Sequence, residues 1–283
     1  NGGETYDGKY FELTTANIDL DGKEWTPIGT SDKQFLGKFN GNGNTISNLT
    51  ISGGNNLGLF AYSSGEIKSV YLDNVNITTS LNAGNAGGVC AFNNGTIDGC
   101  GVLSGAIRCS SSNGGQLGGI SKENSGTISR CFSNAAIKGA NSAGIVYVNR
   151  GNGVVQNCYN AGTIEGLSTA GGISNNNYGK ITTCLNLGEI IAKDVTHEDG
   201  YVEIRGFGIC AMNQPGALLE NCYSDSNVCP KELVGGFGNT TVYYKTTAEL
   251  CNSSFLSDLN SNWESGSESG ETNGRYRTAI YTY

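Results

Sequence analysis

The sequence predicts an all-β chain wound as a single-stranded right-handed parallel β-helix of about seven coils, with a short helix near its C-terminus. Three observations predict it. The first is a recurring phrase: a Gly, a large apolar residue, an Asn five residues after the Gly, then an aliphatic residue and a Cys. Copies start at Gly88, Gly119, Gly144, Gly172 and Gly208 and reach Cys100, Cys131, Cys158, Cys184 and Cys222. The second is the beat within each copy. Short runs rich in Ile, Val and Thr are broken by Gly and Asn, and no run sustains a helical apolar stripe. The third is what the unit lacks. It is too short for a propeller blade and has no leucine-rich frame, so stacking one coil per copy remains.

The coils are justified in order. The opening stretch, Tyr10 to Leu13 and Asn17 to Leu20, alternates like strands, and Trp25-Thr26-Pro27-Ile28-Gly29 supplies apolar bulk for the N-terminal end. Gly37, Asn42, Ile46 and Leu49 fit a first copy, and Gly58, Leu59, Ser63, Ile67 and Val70 a second. Stacking about 4.8 Å apart turns repeated positions into ladders along the axis. Cys100, Cys131, Cys158, Cys184 and Cys222 become an inward column with Val70 and Leu49 above it. Ile97, Ile128, Val155, Ile181 and Leu218 form a second, and Ile107, Ile137, Ile164, Ile190 and Val228 a third. Asn42, Asn93, Asn124, Asn149, Asn177 and Asn213 form an amide ladder at a turn. Gly236 opens an incomplete last copy. Beyond it, Thr246 to Asn260 has helical spacing at Phe255, Leu256 and Leu259 with Thr247 as N-cap, and Tyr276 to Tyr283 reads as a strand-like end. The division is therefore 1–36 for N-terminal strands and cap, 37–245 for the repeats and 246–283 for the C-terminal cap, in one structural domain.

Composition fits a thin coil. Gly makes up 44 of 283 residues with only 3 Pro, and charged residues are 15%, well under the usual quarter. The net charge of −8 argues against nucleic acid, and no apolar run is long enough to span a membrane. The chain opens on Asn1-Gly2-Gly3 with no leader, which reads as a processed or trimmed chain. The ten Cys are read as small buried hydrophobes, not as a disulfide framework. Cys90 and Cys210 share another slot several coils apart, and a pair among Cys109, Cys229 and Cys251 stays open.

Ile18-Asp19-Leu20 with Trp25-Thr26-Pro27-Ile28-Gly29, then Phe39 to Ile46 and Gly58-Leu59-Phe60-Ala61, resembles the opening of the GLUG-repeat β-helices. The last of these departs by one residue from their Gly-Leu-Phe-Gly signature. The resemblance covers roughly residues 10–245, and the segment from Thr246 to Trp263 resembles the unit that often closes these proteins. It implies a bacterial cell-surface or secreted, extracellular location, as in adhesin-like proteins and the β-helical region of immunoglobulin A metallopeptidases. It names no catalytic residues.

No catalytic constellation is found. His197 is the single His, so a zinc H-E-x-x-H is excluded and peptidase activity is not expected. Stacking sets Lys68 beside Asp98, and Arg108 beside Lys138 beside Glu165, which are mixed-charge lines rather than the paired acids a glycosidase needs. The longest copy, between Gly172 and Gly208, carries extra residues from Ala192 to Arg205. Asp194, His197, Glu198, Asp199, Tyr201, Glu203 and Arg205 lie there and form the candidate ligand-binding set. The acids suit Ca²⁺ and Tyr201 suits a sugar, although the spacing matches no EF-hand; no other cofactor is expected. The expectation is a non-catalytic, adhesin-like surface module, part of a larger protein, that binds a host glycan or protein or serves as a stalk. The alternative is a carbohydrate-active β-helix enzyme, a polysaccharide lyase or glycoside hydrolase.

Overall fold

A computed structural model describes residues 4–82, 84–111 and 114–264; the strand-like reading of Tyr276 to Tyr283 lies outside the described residues. Short strands separated by Gly/Asn bends cannot bury a face alone, and here they stack into a parallel β-solenoid of about 8 turns. Two long sheets, of 14 and 15 strands among the described residues, run along it. Within them the register is parallel from coil to coil, as in Ile67–Ile97–Ile128–Val155–Ile181 and Ile51–Ile77–Ile107–Ile137–Ile164–Ile190.

The Cys column is present. Cys100, Cys131, Cys158, Cys184 and Cys222 are wholly buried, and all ten cysteines are thiols, so no disulfide joins any two of Cys109, Cys229 and Cys251. A geometric reason for the column emerges that spacing alone did not show. The residue before each of these Cys, and before Val70 in the same column, is left-handed: Ser69, Gly99, Arg130, Asn157, Thr183 and Asn221 have φ between 51° and 61°. The coil bends there, and the next side chain turns inward. Each Sγ then donates to the carbonyl two residues back, across the bend: Asp98 at 3.4 Å, Ser129 at 3.1 Å, Gln156 at 3.2 Å, Thr182 at 3.3 Å and Glu220 at 3.2 Å. A small apolar side chain with a weak donor suits a dry bend. We expect a thiol reagent at neutral pH to label only the half-buried Cys109 and Cys251 in the folded protein, and all ten after denaturation. Fewer than four reactive thiols in denaturant would overturn the column.

Six sequence assignments shift. Asn42 does not join the amide ladder, Ile46 does not join the Ile column, and Leu49 does not lie above the Cys column. Phe39 pairs with Ile67 and Asn44 with Val70, because Gly41-Asn42-Gly43 bulges against Ser69 alone. Asn42 at φ 52° and Gly43 at φ 73° make that bulge, and Asn42 bonds outward to Glu12 instead. Leu49 belongs one side further on, since Thr50 pairs with Asn76. At the other end Leu219, not Leu218, pairs with Ile181, because the turn at Gln214 to Ala217 repeats the longer form seen at Arg150 to Gly153 and not the shorter one after Asn177. Cys229 is buried near Ile190, and Val228 is only half-buried. The helical segment is capped by Thr246, not Thr247. The Thr246 side chain accepts from Glu249 N, and Thr246 N donates back to the Glu249 carboxylate at 2.7 Å.

The amide ladder itself is continuous. Nδ2 of Asn93, Asn124, Asn149 and Asn177 each donates to Oδ1 of the next Asn at 2.8–2.9 Å, ending on Asn213. A second amide pair, Asn160 to Asn186 at 2.9 Å, sits on another inward column. That column runs Ile46, Leu72, Val102, Ser133, Asn160, Asn186, Ser224, so its lining changes from apolar to polar along the stack.

The two ends differ. Tyr10–Glu12 and Asn17–Asp19 pair with Lys38–Ser47 as a top rung. Trp25, Phe35 and Phe39 gather beneath it around a 380 Å³ apolar cavity, with Trp25 Nε1 donating to Leu59 O at 3.1 Å. The C-terminal helices, Thr247–Leu250 and Ser253–Glu264, lie on the flank. Leu250 and Leu259 join Tyr71, Phe132, Tyr159 and Leu185 in an outer cluster separate from the lumen, and Phe255 meets Tyr223 edge-on at 5.0 Å. No helix of the described residues is long and apolar enough to cross a membrane.

Candidate functional site

The extra residues of the longest copy form a hairpin. The strand Ile190–Ala192 completes its rung against Ile164 to Gly166, and the chain then leaves the stack. Val195–Thr196 and Val202–Glu203 pair antiparallel, against the parallel order of both long sheets. The ladder resumes at Gly206, opposite Ala170, two residues before the expected Gly208. A local turn explains the hairpin: His197 N donates to Tyr201 O at 2.8 Å, Gly200 N to His197 O at 2.9 Å, and Gly200 takes φ 85°.

The seven sequence-predicted residues divide between base and tip. At the base, Asp194 Oδ1 accepts from Arg205 N at 2.9 Å, and Asp194 Oδ2 lies 3.6 Å from Lys231 Nζ. Arg205 Nη2 donates to Glu203 Oε2 at 3.0 Å and Nη1 to Leu167 O at 3.3 Å. At the tip, Asp199 accepts from Tyr201 N at 3.0 Å, the His197 ring stacks on Tyr201 with centroids 5.6 Å apart, and His197 Nε2 is 3.5 Å from Glu203 Oε2. Arg205 first and His197 second hold the Glu203 carboxyl below its ordinary range. Glu198 stands apart in solvent.

Chemically, the acids are spoken for. Asp194 and Glu203 face cations, and Asp199 closes its own turn. Among the described residues no group of three or more His, Cys, Asp or Glu side chains is placed to hold a metal ion. The hairpin presents a mixed surface outward: Lys193, Thr196, His197, Glu198 and Asp199 are exposed, and among them stand Tyr201, 62% exposed, and Val202, 48% exposed. Lys231 and Leu167, which come from neighbouring coils, were not legible from the loop sequence; only the register brings them in.

The mixed-charge lines also stand as expected. Asp98 pairs with Arg130, Glu66 lies 3.5 Å from Lys38 and 3.8 Å from Lys68, and Glu165 lies 2.8 Å from Lys138. On another face Glu123 takes both Arg150 Nε at 2.9 Å and Nη2 at 2.8 Å; burial pushes its carboxyl up, but Arg150 and Lys122 outweigh that and hold it low. Each of these carboxylates has a cation as neighbour, which is the opposite of a paired-acid catalytic site.

No family model matches the chain, and no curated protein matches it. A solved structure does: a Bacteroides ovatus protein provisionally named an immunoglobulin A1 protease, with a TM-score of 0.71 at 19% identity, covering 93% of this chain and 84% of that one. At that identity the chain shares the neighbour's solenoid fold.

Proposed function

We propose that this chain is a non-catalytic repeat module of a bacterial surface or secreted protein of the GLUG-repeat type, adhesin-like, which binds a glycan or protein outside the cell. The observation that carries this reading is the hairpin: an inserted element whose charges are satisfied at its base and whose exposed, otherwise polar tip displays Tyr201 and Val202. A rigid stack that displays an aromatic knob suits recognition. The protease name of the structural neighbour belongs to that protein; this chain, with one His, lacks the residues for H-E-x-x-H chemistry. Ca²⁺ bound through Asp194, Glu198 and Asp199 is a subsidiary proposal, and isothermal titration with CaCl₂ that gives no binding heat would remove it.

Two measurements test the reading. Replacing 193–205 with a short Gly-Asn turn should change the melting temperature by no more than about 3 °C while abolishing binding to whichever glycan or host-protein array spot the parent recognises. Uronic-acid and neutral polysaccharides incubated with the parent should yield neither unsaturated product nor new reducing ends. Clear turnover of any of them would replace this reading with the lyase or hydrolase alternative.

A further inference from the structure

We infer that one face of the stack, from Gly22 to Glu165, is a groove for an anionic polysaccharide lying along the stack axis, anchored by Arg108. This deepens the binding-module reading and rests on it. Two cavities, of 640 Å³ and 240 Å³, adjoin on this face and share Ala106 and Arg108 as lining, so they form one trough. Its course follows the register. Thr50, Asn76, Ala106 and Ala136 lie in line on successive coils, with Thr163 beyond them, and Ser52, Thr78, Arg108, Lys138 and Glu165 run beside them. Four steps of about 4.8 Å make the trough about 19 Å long, which suits an extended polymer better than a compact anion.

The trough has a fixed floor. Gly105, at φ 105°, could carry no side chain, because a Cβ there would sit 2.2 Å from Val75 O. Ala106 and Ala136 follow with one methyl each. The far wall is made of amides. Asn48 and Asn74 are left-handed at φ 59° and 52°; Asn74 Nδ2 donates to Asn48 Oδ1 at 2.7 Å and Asn48 Nδ2 to Asp19 Oδ1 at 2.7 Å, which leaves one N–H on each amide and the Asn74 carbonyl for sugar hydroxyls.

Charge selects the ligand. The lining carries Arg108, Lys138 and Glu165, while Asp19 and Glu24 bond Asn48 and Ser52 at the N-terminal end, so the cationic stretch of the trough is the one around Arg108 and Lys138. Lys138 is matched by Glu165 at 2.8 Å, whereas among the described residues no carboxylate pairs with Arg108. Arg108 and Lys138 are direct cross-strand neighbours, and like charges placed so repel. A carboxylate or sulfate seated between them would relieve that repulsion, and guanidinium binds such groups through two parallel hydrogen bonds. The single unmatched cation and the acidic whole argue against nucleic acid, whose binding draws on many phosphate contacts.

The test is titration of the full chain at low salt with polygalacturonate, heparin, neutral galactan and oligo(dT). We expect binding of polygalacturonate or heparin, whichever binds showing a carboxylate or a sulfate preference, and none of galactan or oligo(dT). Arg108→Ala should weaken that binding at least tenfold and Arg108→Lys by less. Ala106→Trp, which fills the floor, should abolish it. Raising the salt should weaken it in the parent. The melting temperature of each variant controls for folding. Equal affinity for galactan, or binding unmoved by both Arg108→Ala and Ala106→Trp, would overturn the groove while leaving the module reading to the hairpin test. Arg108-dependent binding of oligo(dT) alone would overturn the polysaccharide assignment, as would binding of none of the four.

Discussion

Between pH 9 and 12 the protein is expected to lose stability steeply and to unfold near pH 10. A thiol's ordinary pKa is 9.0, and burial pushes Cys90 and Cys210 up to about 12. Burial likewise drives Cys100, Cys131, Cys158 and Cys184 well upward, with neighbouring thiols of the column modulating the effect. Above pH 9 the unfolded chain gives up protons that the folded chain retains. Stability is therefore full below that pH and falls as the pH rises toward the folded values. Each such thiol costs on the order of 1 kcal/mol per pH unit, and the six act in the same direction. A domain's whole stability is about 5–15 kcal/mol. Far-UV circular dichroism against pH reads the transition. The double variant Cys131→Ala/Cys158→Ala should show a shallower pH dependence, even though it starts less stable at pH 7. A parent that stays folded beyond pH 12 would refute the argument.

The second large effect is expected from Asn149→Asp, a change of almost no volume. Asn149 is wholly buried, and its Nδ2 donates to Gly153 O at 3.1 Å, Asn177 Oδ1 at 2.9 Å and Lys180 O at 3.3 Å. An ionised Asp turns that donor into an acceptor facing three others in a dry lumen. The cost is on the order of 4 kcal/mol or more at pH 7. The sign with pH also follows. Burial raises the folded pKa of the new acid, so the folded variant holds its proton more tightly, and stability recovers as the pH falls through that value. Urea unfolding at pH 7 and pH 5 checks both statements. A loss below about 1 kcal/mol at pH 7 would mean that neighbouring amides or water take over the bonds.

Much of this was legible in the sequence because the solenoid repeats its demands. A dry inward slot after a left-handed bend recurs in each coil, and Cys answers it at 100, 131, 158, 184 and 222. Legibility failed where one coil departs from its neighbours. Gly41-Asn42-Gly43 inserts a bulge, and spacing counted across it put Asn42, Ile46 and Leu49 on the wrong columns. The longer turn before Leu218 slid that column by one residue. The hairpin was visible as excess length, but its partners Lys231 and Leu167 come from other coils. Arg108 and Lys138 were visible as a line. What a line of letters does not carry is that among the described residues no carboxylate pairs with Arg108, and that Gly105 packs so closely on Val75 that it forms a bare floor beside it.

The column that passes from Ile46, Leu72 and Val102 to Ser133, Asn160, Asn186 and Ser224 has a consequence in heat capacity. Opening the early coils wets hydrocarbon, which raises the heat capacity; opening the later ones wets amides and hydroxyls, which lowers it. One continuous pair of sheets therefore carries a strongly curved stability profile at one end and a flatter one at the other. Cooling draws down the hydrocarbon-lined end first, so the coil that frays soonest is set by the thermometer as well as by its place in the stack.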